Sequence, residues 1–351
     1  MNLTTYIIPA EHSLRDALKK LNTLSGGSMT LFVTDGDSII GTLTDGDIRR
    51  ALISGASLND QAGSAAFSAF KYITTTNPDV KTLKGLRARG ITMVPVIDAN
   101  HHLVDIIDLS ITHTRLPLSA ILMAGGKGER LRPLTLSTPK PLLEIDGKPI
   151  IDYNIEALAS CGINDITVTV NYLAEKIQEH FSSPVAGVRV KTVRETMPLG
   201  TIGSAALINH RPGASSIVMN SDLLTTISFE DMYLRHRDLD ADITIAVIPY
   251  QVSVPFAILD IDGHDVKGIQ EKPSYSYYAN AGIYIFNNDL LASLPTDRRT
   301  DATDLIEQAI DSGRRVVYFP INGSWIDVGS PTDFRQAAEL MKHYRNFSAN
   351  H

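Results

Sequence analysis

The apolar run Leu118–Ala124 empties directly into Gly125-Gly126-Lys127-Gly128-Glu129-Arg130-Leu131-Arg132-Pro133, and Thr138-Pro139-Lys140-Pro141-Leu142 follows. A continuous apolar run that stops at glycines reads as a strand buried on both faces, and strands of that kind belong to parallel sheets covered by helices. Glycines at its end let backbone N–H groups approach an anion with no Cβ in the way, and cations just beyond them add charge where phosphate oxygens would lie. Two common glycine loops are excluded. A P-loop needs four residues between its first glycine and Gly-Lys-Ser/Thr, and a dinucleotide fingerprint needs a glycine where this chain has Leu131. What remains is G-G-x-G-x-R-L followed by P-K-P.

From Leu118 onward, apolar runs alternate with helix-period segments. The pattern predicts a helix over 151–162, a strand over 165–170, a helix over 172–181, a strand over 188–193, a helix over 199–210 and a strand over 216–222. Such alternation specifies an α/β fold, Rossmann-like, around a mixed, mostly parallel sheet. Ligands of these sheets bind beyond the carboxyl ends of the strands, where the glycine loop falls.

At 351 residues the chain is long enough for two domains. Residues 1–114 carry a weak internal repeat, in which Leu31-Phe32-Val33-Thr34-Asp35 leading to Gly41-Thr42-Leu43-Thr44-Asp45 is echoed by Val94-Pro95-Val96-Ile97-Asp98 leading to Asp105-Ile106-Ile107-Asp108. Each copy reads helix, strand, tight turn, strand, helix. Thr44 and Asp47 fall at the start of a helix, as cap residues or as polar groups beside a groove. Residues 112–117 form a short link, and 118–351 make the second domain.

A net charge of −7 argues against nucleic acid as a partner, so an anionic substrate must be met by a local cluster: Lys127, Arg130, Arg132, Lys140 and Lys148. The one cysteine, Cys161, forms no internal disulfide and reads as a buried structural thiol. No stretch is long and apolar enough for a bilayer and no basic-then-apolar leader opens the chain, which points to a cytoplasmic protein without a membrane partner. For phosphoryl chemistry with a hard divalent cation, the carboxylates of interest lie at strand ends. Asp222 closes the run Ser216-Ile217-Val218-Met219-Asn220-Ser221-Asp222, and Asp327 lies in Trp325-Ile326-Asp327-Val328-Gly329-Ser330-Pro331.

The composite of glycine loop, P-K-P and W-x-D-x-G-S-P resembles the sugar-nucleotide pyrophosphorylases, which join a nucleoside triphosphate to a sugar 1-phosphate and release pyrophosphate. The amino-terminal repeat resembles a CBS-domain pair. Together they resemble the CBS-tethered glucosamine-1-phosphate guanylyltransferases of legionaminic acid synthesis. The resemblance implies Mg²⁺ on Asp222 and Asp327, Arg130 on the β- and γ-phosphates, and Lys140 at the reacting phosphate. It places the nucleotide at Leu122, Ala124, Gly125, Gly126, Gly128, Glu195, Gly200 and Thr201, with open N–H groups at the last two. It places the sugar phosphate at Glu271, Lys272, Asn280 and Gly282.

The Leu199-Gly200-Thr201 form and Asn171-Tyr172 favour GTP among nucleotides. Two residues depart from the family pattern: Glu129 replaces a small hydroxyl residue before Arg130, and Ala257 replaces a glycine near the sugar. In the CBS family a threonine and an aspartate at the positions of Thr44 and Asp47 hold the ribose of an adenine nucleotide. In the second copy Asp108, Asp105 and Ile111 replace the threonine, glycine and aspartate, leaving at most one such site. CBS pairs also dimerise, so a homo-oligomer is expected. Mannose- or heptose-1-phosphate guanylyltransferase, a uridylyl or thymidylyl enzyme, and a non-catalytic nucleotide-sensing subunit are the alternatives. No hexapeptide repeat follows, so neither a left-handed β-helix nor acetyltransferase activity is expected.

Overall fold

The computed structural model describes residues 3–24, 29–75 and 79–348. The chain divides into two compact units, Met1–Leu116 with Ser160–Gly162, and Pro117–Ala159 with Ile163–His351.

The amino-terminal unit repeats one small pattern. In each half a short strand pairs parallel with the first arm of an antiparallel hairpin: Ile7–Pro9 beside Thr30–Asp35 and Ser38–Thr44, then Ile73–Thr74 beside Met93–Ile97 and Leu103–Asp108. Both hairpins carry a register shift at the same place, between Val33 and Thr34 and between Val96 and Ile97. Phe32, Ile39, Met93, Ile97 and Ile106 form one apolar cluster joining the halves.

The halves differ at their ends. The first hairpin leads into the helix Asp45–Ile53, whereas the second leads only into a turn, against the expected helix. The cause is local. Asp108 Oδ1 accepts the Ser110 N–H at 2.9 Å, fixing a turn, and the β-branched residues Ile111, Thr112 and Thr114 ahead of Pro117 are poor helix material.

The second unit is built on a seven-stranded sheet. Its strands in chain order are β1 (Leu118–Ala124), β2 (Ile166–Val170), β3 (Lys191–Arg194), β4 (Ser215–Asn220), β5 (Ile243–Ser253), β6 (Ser274–Asn287) and β7 (Val316–Pro320). Across the sheet they run β3-β2-β1-β4-β6-β5-β7. The first four are mutually parallel, β6 is antiparallel to both neighbours, and β7 runs parallel to β5. From β1 the chain moves first to one side, through β2 and β3, and then returns to the other side as β4. The order therefore reverses at β1 and β4, opening a crevice beyond their carboxyl ends.

Three expected elements are altered. Residues 199–210 hold only a 3₁₀ turn, Gly203–Leu207, because Gly200 is left-handed at φ 87° and the Ile202 and Gly203 N–H groups donate to Thr300 O rather than along a helix. The strand expected over 188–193 starts at Lys191, because left-handed Ala186 and Gly187 make a tight turn bridging Val185 to Val188. Cys161 is buried just past the helix Ile150–Ser160, which ends short of it. Among the described residues no helix is long and apolar enough to cross a membrane.

Candidate active site

Beyond β1 the chain passes through the glycine loop with little room to spare. At Gly125 a Cβ would stand 2.8 Å from Glu195 Oε1, so a larger residue would push that carboxylate aside. Gly128 is left-handed at φ 60°, and a Cβ there would lie 2.9 Å from the Thr135 methyl and 3.1 Å from Lys140 Cβ. Thr135 Oγ1 donates to Gly128 O at 2.8 Å, tying the loop to the next turn. Lys140 opens the 3₁₀ turn Lys140–Leu142 between Pro139 and Pro141, with its side chain only 11% exposed. The prolines and the glycine loop thus hold one ammonium in place.

The acidic side is assembled from β4 and the carboxyl-terminal motif. Ser221 donates to Met123 O twice, from Oγ at 2.7 Å and from its N–H at 3.3 Å, which pins the end of β4 to the end of β1. Asp222 follows in the turn after β4 rather than within the strand. The short strands Leu223–Thr225 and Trp325–Asp327 then pair antiparallel with Leu223 opposite Asp327, and the Val328 N–H donates to Asp222 O at 3.1 Å. Two aspartates far apart in sequence become neighbours. Lys140 Nζ donates to Asp222 Oδ2 and lies 3.5 Å from Asp327 Oδ1.

Burial, and next the nearby Asp222 charge, raise the Asp327 pKa above the ordinary carboxylate value, with Lys140 and Arg130 acting against the rise. Asp222 Oδ1 is buried with no hydrogen-bond partner. An unsatisfied buried carboxylate oxygen beside a second carboxylate is the donor set that a hard divalent cation takes. Among the described residues no cluster of three or more His, Cys, Asp or Glu forms a metal cage. With two carboxylates from the protein, a cation held here would complete its shell with water or with oxygens of a bound phosphate.

The glycine of the W-x-D-x-G segment has its own part. A Cβ at Gly329 would lie 3.1 Å from Arg130 Nη2 and 3.3 Å from its Cζ and Nη1, so this backbone is the floor on which Arg130 lies. Gly329 is not left-handed, so alanine fits its backbone and meets only the arginine. The expected result for Gly329→Ala is a melting temperature within about 2 °C of wild type with kcat lowered about 10- to 100-fold, since small displacements of a charge-positioning group cost that much. Unchanged kcat in steady-state assays would show that Arg130 is not where its charge is used.

Ala124, Gly125, Gly126, Gly128, Arg130, Lys140, Glu195, Gly200, Thr201 and Asp222 line one cleft of about 590 Å³, with Asp327 reached through Lys140. That volume suits a small-molecule ligand. Glu195 is buried; its Oε2 accepts from Asn171 Nδ2 at 3.5 Å and the Leu199 N–H at 3.4 Å, and Oε1 faces Gly125. Leu122 is not in the cleft: it is fully buried and paired with strands on both sides, opposite Val168 and Met219.

The open N–H expected at Thr201 is already taken, since it donates to Asp301 Oδ1 at 3.0 Å, and Gly200 packs against Thr300 O. Glu271 and Lys272 are exposed in the turn before β6, away from the cleft lining. Asn280 is exposed on β6, donates to the Tyr284 hydroxyl at 2.8 Å and accepts the Gly282 N–H at 3.0 Å. Gly282, left-handed at φ 70°, leaves room for the Asn220 side chain, which does line the cleft.

Sequence reading missed Asn220, Ser221, Arg299 and Asp301, all in the lining. The first two belong to the polar end of the run that gave Asp222. The second pair carries a different signal: Asp301 caps the helix Ala302–Asp311 in a capping box with Asp304.

A family model for nucleotidyl transferases matches residues 119–343, a span that takes in the glycine loop, Lys140, both aspartates and Gly329. The chain belongs to the nucleotidyl transferase family. A CBS domain model matches residues 3–54, the first half of the amino-terminal unit. Over 221 residues this nucleotidyl transferase is 32% identical to a putative mannose-1-phosphate guanyltransferase of Sulfolobus acidocaldarius, covering 62% of this chain and 61% of that protein. Over 224 residues it is 35% identical to the mannose-1-phosphate guanylyltransferase catalytic subunit beta of Drosophila pseudoobscura pseudoobscura, covering 61% and 60%. The match thus spans about three-fifths of the length of these curated relatives. The crystal structure of HddC from Yersinia pseudotuberculosis superimposes with a TM-score of 0.49 at 25% identity, covering 64% of this chain and 99% of that one.

Proposed function

We propose that this nucleotidyl transferase moves a guanylyl group from GTP to a sugar 1-phosphate. A phosphate oxygen of the sugar 1-phosphate attacks the α-phosphorus, the bond between the α-phosphorus and its bridging oxygen to the β-phosphate breaks, and pyrophosphate leaves. The observation that carries this reading is the convergence of Lys140 on Asp222 and Asp327 beside a glycine loop at the carboxyl ends of β1 and β4. Lys140 supplies a fixed positive charge at the α-phosphate, and Arg130, resting on Gly329, reaches the departing phosphates with a planar fork. Asp222 and Asp327 would hold Mg²⁺, which neutralises phosphate charge and aligns the triphosphate. Lys140 then exchanges its carboxylate partners for phosphate oxygens.

The base assignment rests on Glu195. An ionised carboxylate only accepts hydrogen bonds. Guanine offers two adjacent donors, N1–H and the 2-amino group, whereas uracil and thymine offer one donor flanked by carbonyl oxygens that a carboxylate repels. A buried carboxylate beside Gly125, where the nucleoside enters, therefore suits guanine.

For the sugar, the combination of domains favours glucosamine 1-phosphate. The names of the relatives favour mannose 1-phosphate, and this is the second reading. With GTP and Mg²⁺ fixed, the mass of the product formed from glucosamine, N-acetylglucosamine, mannose, heptose and glucose 1-phosphates decides between them. A GDP-hexosamine supports the first reading and GDP-mannose the second, while no GDP-sugar from any of the five contradicts both.

The same proposal gives the amino-terminal unit an adenine-nucleotide site at Thr44 and Asp47. These two already serve the helix Asp45–Ile53: Thr44 Oγ1 donates to Asp47 Oδ2 at 2.6 Å, and the Thr44 N–H donates to the same oxygen at 2.8 Å. Asp47→Ala is therefore expected to cost about 1 kcal/mol by loss of its hydrogen bonds to Thr44, its half of the capping box. The ligand reading predicts in addition that ATP or AMP raises the wild-type melting temperature and leaves that of Asp47→Ala unmoved. No shift in wild type would leave capping as their whole role.

A further inference from the structure

One cation in the cleft lining has no part in the phosphate chemistry above. Arg299 lines the cleft with Asp301, and its place is set by hydrogen bonds between two short segments. The Thr300 N–H donates to Leu199 O at 2.9 Å, the Ile202 and Gly203 N–H groups donate back to Thr300 O, and the Ala302 N–H donates to Thr201 Oγ1 at 2.9 Å. Asp301 divides its carboxylate between the segments: Oδ1 accepts the Thr201 N–H at 3.0 Å and Oδ2 accepts Arg299 Nη2 at 3.0 Å. The Thr201 N–H, foremost among its partners, holds the Asp301 carboxyl below its ordinary pKa. An ionised carboxylate therefore fixes one arm of the guanidinium. The Arg299 side chain is otherwise 71% exposed, and a guanidinium carries five N–H donors, so most of the fork is open to a ligand.

Glu195 is anchored on the same segment, because its Oε2 accepts the Leu199 N–H. From Leu199 to Thr201 the chain spans at most about 7 Å. A group that only accepts hydrogen bonds and a group that only donates them are thus tied to neighbouring residues of one cleft wall. Pro198 and Gly200, which also line the cleft there, bring no polar side chain.

A carboxylate alone leaves the choice of base incomplete. It takes the N1–H and 2-amino donors of guanine, but it also accepts from the amino group of adenine or cytosine. The remaining edge of the base separates them: guanine presents two adjacent acceptors, O6 and N7, whereas adenine presents N7 beside an amino donor and cytosine presents its amino donor.

We infer that Arg299 determines nucleotide specificity by donating to the O6 and N7 edge of guanine, opposite in sense to Glu195. The inference rests on the guanylyl reading above. A donor-only fork pairs with both guanine acceptors and meets the amino group of adenine as a clash of donors. A phosphate is the poorer partner for this arginine, since the ionised Asp301 that holds it also lines the cleft and repels an anion.

The test compares GTP, ATP and 7-deaza-GTP, in which a carbon replaces N7, on the full chain with Mg²⁺ and the hexose 1-phosphate that gives the fastest release. A bidentate contact of this kind discriminates bases by about 10- to 100-fold, so wild type is expected to lose about 10-fold in kcat/KM on 7-deaza-GTP. Arg299→Met is expected to treat GTP and 7-deaza-GTP alike within about 2-fold, and its ratio of kcat/KM for GTP over ATP is expected to fall at least about 10-fold. Arg299→Lys keeps the charge without the fork and is expected to behave as the Met variant does. Equal losses on GTP and ATP in Arg299→Met, or full recovery in Arg299→Lys, would place the charge on the phosphates and overturn the inference. An enzyme fastest with another nucleotide defeats the guanylyl reading and this inference with it. One fastest with GTP whose Arg299→Met variant still loses about 10-fold on 7-deaza-GTP defeats this inference alone.

Discussion

Asp222→Asn is expected to abolish pyrophosphate release, with kcat lowered at least about 10³-fold, while the melting temperature stays close to that of wild type. Loss of a group that stabilises charge in the transition state typically costs 10²- to 10³-fold, and here one substitution removes two such roles. A neutral amide would hold a divalent cation far more weakly than the carboxylate proposed for that role, and it leaves Lys140 without a balancing charge in the resting site. Stability is spared because the backbone at this position is held independently, by the Val328 N–H donating to Asp222 O and by Ser221 bonded to Met123 O. Steady-state kinetics at several Mg²⁺ concentrations and a melting curve check both halves. More than about 10% residual kcat would mean that another group holds the cation.

Glu195→Gln is expected to turn the base preference. The amide presents both a donor and an acceptor, so it pairs with the N3–H and a flanking carbonyl of uracil or thymine and loses one of the two bonds to guanine. A site built to hydrogen-bond a substrate rejects a mismatched one by 10⁴ or more, so one reversed partner is expected to change the ratio of kcat/KM for GTP over UTP by at least about 10²-fold. Oε2 keeps Asn171 and the Leu199 N–H as partners, so the loop stays in place. Measured kcat/KM values for GTP and UTP decide the matter. A uniform loss for both nucleotides would show that Glu195 supports the loop and does not read the base.

Much of the site was legible because its parts sit at ends of regular elements. The run Leu118–Ala124 is the strand itself, the glycines follow at its carboxyl end, and Lys140 is held as its flanking prolines suggest. Long-range pairing was less legible. No local signal places Asp327 opposite Leu223 or lays Arg130 on Gly329, because those contacts depend on a strand pairing that spans about a hundred residues of sequence.

Segments rich in glycine misled in the other direction. Residues 199–210 read as a helix, yet Gly200 packs against Thr300 O, the Ile202 and Gly203 N–H groups donate to that oxygen, and the Thr201 N–H expected to be open donates to Asp301. Sugar-side residues fared differently again. Glu271 and Lys272 follow from motif alone, and they lie in the exposed turn before β6 rather than in the cleft lining. Their use in sugar binding requires that turn to close over the cleft or the sugar to reach out to it.

The most direct measurement of the central claim is pyrophosphate release by the purified full chain with Mg²⁺ and each of the four nucleoside triphosphates, with and without a hexose 1-phosphate. The account predicts release that depends on the sugar phosphate, is fastest with GTP and disappears in Asp222→Asn. Silence with every nucleotide while GTP still binds would contradict it and make the cleft a nucleotide sensor.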